Sequence, residues 1–200
     1  MWSAGNFLAY SYSAPPFRLK SRSWLEFLSL LLALCVLPVM FVYFTVTSEL
    51  SPLFLLFLVG QSMTVYSLII PTESRDYFVD KAMNVETMTV RLGLARASLL
   101  GIVLLSAGGI LSGAAFFLAL ASMNRLPLVI FLPAMAVADY MVLREYRKLY
   151  SLSKLYASNG QDSIKQDIVG LSANNPKWIT MVSQAIVLMS IVFIVGKFWF

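Results

Sequence analysis

Long uncharged apolar runs alternate along this chain with short stretches that carry nearly all of the charge. A bilayer-spanning helix needs about 20 consecutive apolar residues. Five runs meet that length and predict membrane helices over roughly Trp24–Thr47, Leu50–Pro71, Ala97–Ser122, Leu126–Leu143 and Trp178–Gly196. Pro38 is placed to kink the first. Gly101, Gly108, Gly109 and Gly113 in the third invite close helix packing, and Gly109 and Gly113 form a small-xxx-small pair. Between the fourth and fifth runs, Asp162 to Leu171 sets Ile164, Ile168 and Leu171 at helical spacing. That pattern predicts an amphipathic helix lying at the membrane interface.

Composition narrows the class. The chain is 59% apolar and 12% charged, against about half and a quarter in an ordinary soluble domain. In lipid only helices and closed barrels satisfy their own backbones. A barrel would alternate over short strands, and these runs are too long and too uniform for that. The expected fold is all-α: a polytopic membrane protein forming a single membrane domain over residues 1–200. The first apolar run exceeds the length of a signal-peptide core and is expected to stay in the membrane.

Charge orients the helices. If the five alternate, 13 of the 15 basic residues fall on one side, leaving Arg125 and Lys197 on the other. The positive-inside rule then puts the N-terminus in the cytoplasm and the C-terminus outside. No histidine is present, so Ser–His, Cys–His and histidine-ligated metal chemistry are excluded. The single Cys35 lies in an apolar span and reads as a packing residue. Nothing in the pattern points to nucleic acid.

Three polar groups share the predicted cytoplasmic side. Glu73, Asp76 and Asp80 stand at i, i+3 and i+7, directly after the second apolar run. Those positions lie near one helix face, and carboxylates so close to hydrocarbon mark a functional site. Oxygen-rich faces suit Mg²⁺, which suits phosphate-bearing substrates. The second group is the turn from Tyr10 to Arg22. Pro15 and Pro16 break any helix there and deliver Arg18, Lys20 and Arg22 to the headgroup zone. Those side chains suit a diphosphate or anionic lipid. The third group runs from Lys81 to Gly93, with Arg91 near the start of the next helix. Asp139, late in the fourth run, is expected to snorkel or to pair with Arg144.

At these residues the chain resembles the C-terminal part of a UbiA-type membrane prenyltransferase. The segment Tyr12 to Arg22, YSAPPFRLKSR, is similar to the loop after the family's fourth membrane helix. Glu73 to Gly93 is similar to its second aspartate-rich motif. Glu73, Asp76 and Asp80 take the acidic positions, and Thr87, Val90, Arg91 and Gly93 take a T-x-x-V-R-x-G run. The resemblance implies part of a nine-helix bundle around a central cavity. It also implies transfer of a prenyl group from its diphosphate to a lipophilic acceptor, with Mg²⁺ neutralising the leaving group. On this resemblance Glu73, Asp76 and Asp80 would hold metal. Asp76, Asp80 and Tyr12 would serve the chemistry, with Tyr12 facing the allylic cation. Arg18, Lys20, Arg22 and Arg91 would contact diphosphate.

Two departures stand out. The family's first motif, N-D-x-x-D-x-x-x-D, has no counterpart in these residues, so a partner chain supplying the N-terminal half is one expectation. Asn84 and Glu86 stand where the family often has glycine and a basic residue. The alternative reading is a non-catalytic membrane subunit or scaffold derived from the same fold. A solute carrier would show repeat symmetry and broken mid-membrane helices, and the sequence has neither. The acceptor stays open among quinone rings, tetrapyrroles, glycerol phosphates and sugar phosphates.

Overall fold

A computed structural model describes residues 2–122, 129 and 132–184. Helix α1 (Trp2–Ser13) ends before the Pro15–Pro16 pair, whose peptide bond is cis, and a 3₁₀ turn follows at Leu19–Ser21. Helices α2 (Ser23–Leu31) and α3 (Leu37–Val46) are joined without a break by a π turn at Leu32–Val36. Pro38 sits just beyond that turn and cannot donate a backbone bond. A wider turn immediately before it is how the rod absorbs the missing bond. The chain then returns as α4 (Pro52–Ala82), opened by Pro52, a residue pre-set for the first helical turn. After the short α5 (Met88–Leu92) come α6 (Leu94–Ser122), α7 (Leu132–Asn159) and α8 (Asp162–Ser172). Residues 175–184 are helical again.

Among the described residues, three helices are long and apolar enough to cross a membrane: Ser23–Thr45, Pro52–Ala82 and Leu94–Ser122. They correspond to the first three expected spans. The fourth expected span, 126–143, falls partly outside the described residues. Its remainder forms the first part of α7, which continues to Asn159 with no stop at the expected boundary. The fifth, 178–196, lies outside the described residues beyond 184.

Helices α4 and α6 cross at close range. A Cβ on Gly60 would stand 2.5 Å from Ser112 Oγ and 2.7 Å from Ser112 N. A Cβ on Gly108 would stand 2.7 Å from Gly60 O. The small-xxx-small pair in use is therefore Gly108 and Ser112, not Gly109 and Gly113. Gly113 has open space beside it, and Gly109 is covered by the Asp139 carboxylate.

Pro71 interrupts the bond ladder inside α4 and leaves the Ser67 carbonyl without its helical partner. Tyr146 on α7 takes that place, donating its hydroxyl to Ser67 O at 2.7 Å. Asn175 donates to Leu68 O and Thr72 Oγ1, each at 2.7 Å. Polar side chains from two later elements thus repair the break in α4. Leu68, Leu105, Val142, Tyr146, Trp178 and Val182 pack around them.

Helix α8 forms where its spacing predicts. Ile164 and Ile168 on its apolar face pack with Tyr77, Leu94 and Leu149. Asp139 does not pair with Arg144. Arg144 bonds Glu145 at 3.2 Å, while Asp139 lines an apolar cleft of about 410 Å³ between α6 and α7.

Candidate functional site

The last turns of α4, the start of α2 and the loop into α5 meet at one end of the bundle. Thr87 starts α5 by accepting Val90 N–H on its hydroxyl at 3.2 Å. This fixes the next two backbone amides. Met88 N–H donates to Glu26 Oε2 at 2.9 Å, and Thr89 N–H donates to Glu73 Oε2 at 3.0 Å. Consecutive amides therefore hold two buried carboxylates, one from α2 and one from α4. The Tyr12 hydroxyl donates to the other oxygen of Glu26 at 3.3 Å. Burial pushes the Tyr12 phenol above its ordinary range, and the charges of Glu26 and Glu73 push it further. It stays a donor at physiological pH.

The Pro-Pro turn reaches the same place. Lys20 Nζ lies 3.5 Å from Asp80 Oδ1, and the backbones of Arg22 and Glu86 form a short parallel bridge. Arg91 donates to Ser23 Oγ at 3.1 Å and lies 5.8 Å from the Trp24 ring centre. The three polar groups expected to share one side are thus in direct contact.

The expected residues divide within that contact. Glu73 and Asp80 are buried, with Lys20 on Asp80 and Tyr12 one residue removed through Glu26. Asp76 turns away: its side chain is 41% exposed and bonds Arg75 at 3.0 Å. Arg18 and Arg22 are exposed, and Arg18 has the left-handed φ of 38°. Glu86 is exposed too, so its charge does not enter the buried cluster.

The UbiA prenyltransferase family model matches residues 1–155. The chain belongs to the UbiA prenyltransferase family. No curated protein and no solved structure matches it. The match takes in every residue of the site and stops short of α8.

UbiA-family enzymes generally depend on Mg²⁺. Mg²⁺ demands near-octahedral oxygen at short range. Glu73 Oε1 is buried with no partner among the described residues, which leaves one donor ready. Asp80 is engaged by Lys20, and Asp76 points outward. Among the described residues no group of three or more Asp, Glu, His or Cys is placed to hold a metal ion. The expected trio does not fit a three-carboxylate Mg²⁺ site.

Two members of the cluster escaped the sequence reading. Glu26 is 0% exposed, and Tyr66 is buried edge-on to Phe27 at 4.4 Å, its hydroxyl without a partner among the described residues. The signal for Glu26 was present, since it is the one ionisable carboxylate in the run Trp24–Thr47 and an acid inside a membrane span marks a site by default. Tyr66 carries no such signal.

Proposed function

We propose that this chain binds a prenyl diphosphate at the cytoplasmic membrane face and transfers the prenyl group to a lipophilic acceptor. Family membership supports the chemistry. The observation that carries it to these residues is the 3.5 Å approach of Lys20 to Asp80, which brings together two motifs separated by two membrane spans. An incoming diphosphate would compete with Asp80 for the Lys20 ammonium, a point charge suited to phosphate. Exposed Arg18 and Arg22 flank the approach and would draw the anion, and anionic lipid, to the surface. The Tyr12 ring would face the allylic cation formed when the C–O bond to diphosphate breaks. The carboxyl oxygens of buried Glu73 and Glu26 would lie behind it as fixed dipoles. Further acidic donors for Mg²⁺, such as the family's first motif, would have to join those of this chain.

The test is release of inorganic diphosphate from farnesyl diphosphate in membranes supplied with Mg²⁺ and a quinone-ring or other lipophilic acceptor. Lys20→Met and Asp80→Asn are each expected to lower release about 10- to 100-fold, the value of a lost charged hydrogen bond. Turnover unchanged in both variants would remove the site from the chemistry. The second reading, a non-catalytic subunit built on the same fold, is favoured by the outward turn of Asp76. It predicts no release by the wild-type chain and no effect of either substitution on membrane assembly.

A further inference from the structure

Glu26 lies outside both motifs, yet it touches Tyr12, just before the Pro-Pro pair, and Met88, after the acidic group. One oxygen accepts from Met88 N–H at 2.9 Å, 62 residues away, and the other accepts from Tyr12 at 3.3 Å. Its own helix adds two more grips on the same loop, through Ser23 and Trp24 to Arg91. The Ser29 hydroxyl donates to the Glu26 carbonyl at 2.9 Å, so the backbone that carries the carboxylate is held as well. Both carboxylate oxygens are occupied and the residue is fully enclosed. A buried carboxyl group whose two oxygens hold different segments fixes their relative position, because releasing either leaves a buried polar atom unpaired.

We propose that Glu26 is a positioning residue: it sets the Tyr12 hydroxyl and, through the adjoining Met88 and Thr89 amides, the loop that holds Glu73. This goes beyond the prenyl-transfer reading in assigning a residue that neither motif contains. Its consequence for turnover rests on that reading; its consequence for Tyr12 does not.

Two variants separate position from charge. Glu26→Ala removes both acceptors and frees Tyr12 and the loop. Glu26→Gln keeps an oxygen for Met88 N–H and an amide that faces the Tyr12 oxygen, so the geometry survives. The full chain in nanodiscs, with 3-fluorotyrosine placed only at position 12, reports on Tyr12 directly by fluorine NMR. Glu26→Ala should shift that resonance toward the solvent-exposed value, and Glu26→Gln should keep it in the enclosed range. In farnesyl diphosphate turnover Glu26→Ala should lose about 10- to 100-fold in kcat, as displaced reacting groups do. KM should stay within about threefold, and Glu26→Gln should recover most of the loss. An unmoved Tyr12 resonance in Glu26→Ala would overturn the assignment. So would an equal loss in both variants with KM rising. Absence of diphosphate release by the wild-type chain would remove the prenyl-transfer reading alone, and the fluorine signal would still decide the role of Glu26.

Discussion

The three motif acids differ because a helix turns about 100° per residue. Asp80 falls about 20° from Glu73 around α4, whereas Asp76 falls about 60° away, toward Arg75. The face that packs under α5 and the Pro-Pro turn is narrow enough to take the first two and leave the third in solvent. Spacing in the sequence made all three look equivalent; the width of the covered face separates them. Asp76→Asn is therefore expected to leave diphosphate release within about twofold of wild type, because an exposed ion pair contributes little. Asp80→Asn in the same assay should lose at least about tenfold. Equal losses in both would show that Asp76 turns inward when substrate binds. Glu26 was readable as a lone charge in an apolar run. Its partners were not, because Met88 is 62 residues distant in the chain and only the folded loop brings it close.

Among the elements, apolar run length located α6 well and the ends of α4 and α7 poorly. Helix α4 runs on past the expected boundary at Pro71, through the charged turns after it, to Ala82. In α7 the apolar part passes into a charged, still helix-favouring stretch with no Gly or Pro to stop it. Packing faces were legible only in outline, since four glycines in α6 all look fit for a close crossing. Geometry selects Gly108, facing Gly60, and leaves Gly113 beside open space. Gly108→Ala should destabilise the detergent-solubilised protein by about 1–3 kcal/mol through overpacking. Gly113→Ala should be neutral or stabilising by up to about 1 kcal/mol through helix propensity. Thermal unfolding checks both, and a reversed order would contradict the α4–α6 crossing. Tyr146→Phe should cost about 1–2 kcal/mol in the same scan, because the Ser67 carbonyl freed by Pro71 loses the hydroxyl that replaces its ladder partner.

For the whole molecule, charge asymmetry orients what packing assembles. With Cys35 almost fully buried, single cysteines at exposed Ser158 and Glu49 report sidedness in a Cys35→Ser chain. A membrane-impermeant maleimide should label Ser158→Cys only from the cytoplasm and Glu49→Cys only from outside. The reverse pattern would overturn the orientation drawn from the basic residues. Function depends on a more local matter: whether the Pro-Pro turn and the end of α4 share one site. The most direct measurement is cross-linking of Lys20→Cys with Asp80→Cys in the Cys35→Ser chain by a short bifunctional thiol-reactive reagent. The account predicts rapid cross-linking, because Lys20 and Asp80 lie side by side. Cross-linking no faster than that of a Glu49→Cys, Asp80→Cys control pair would contradict it.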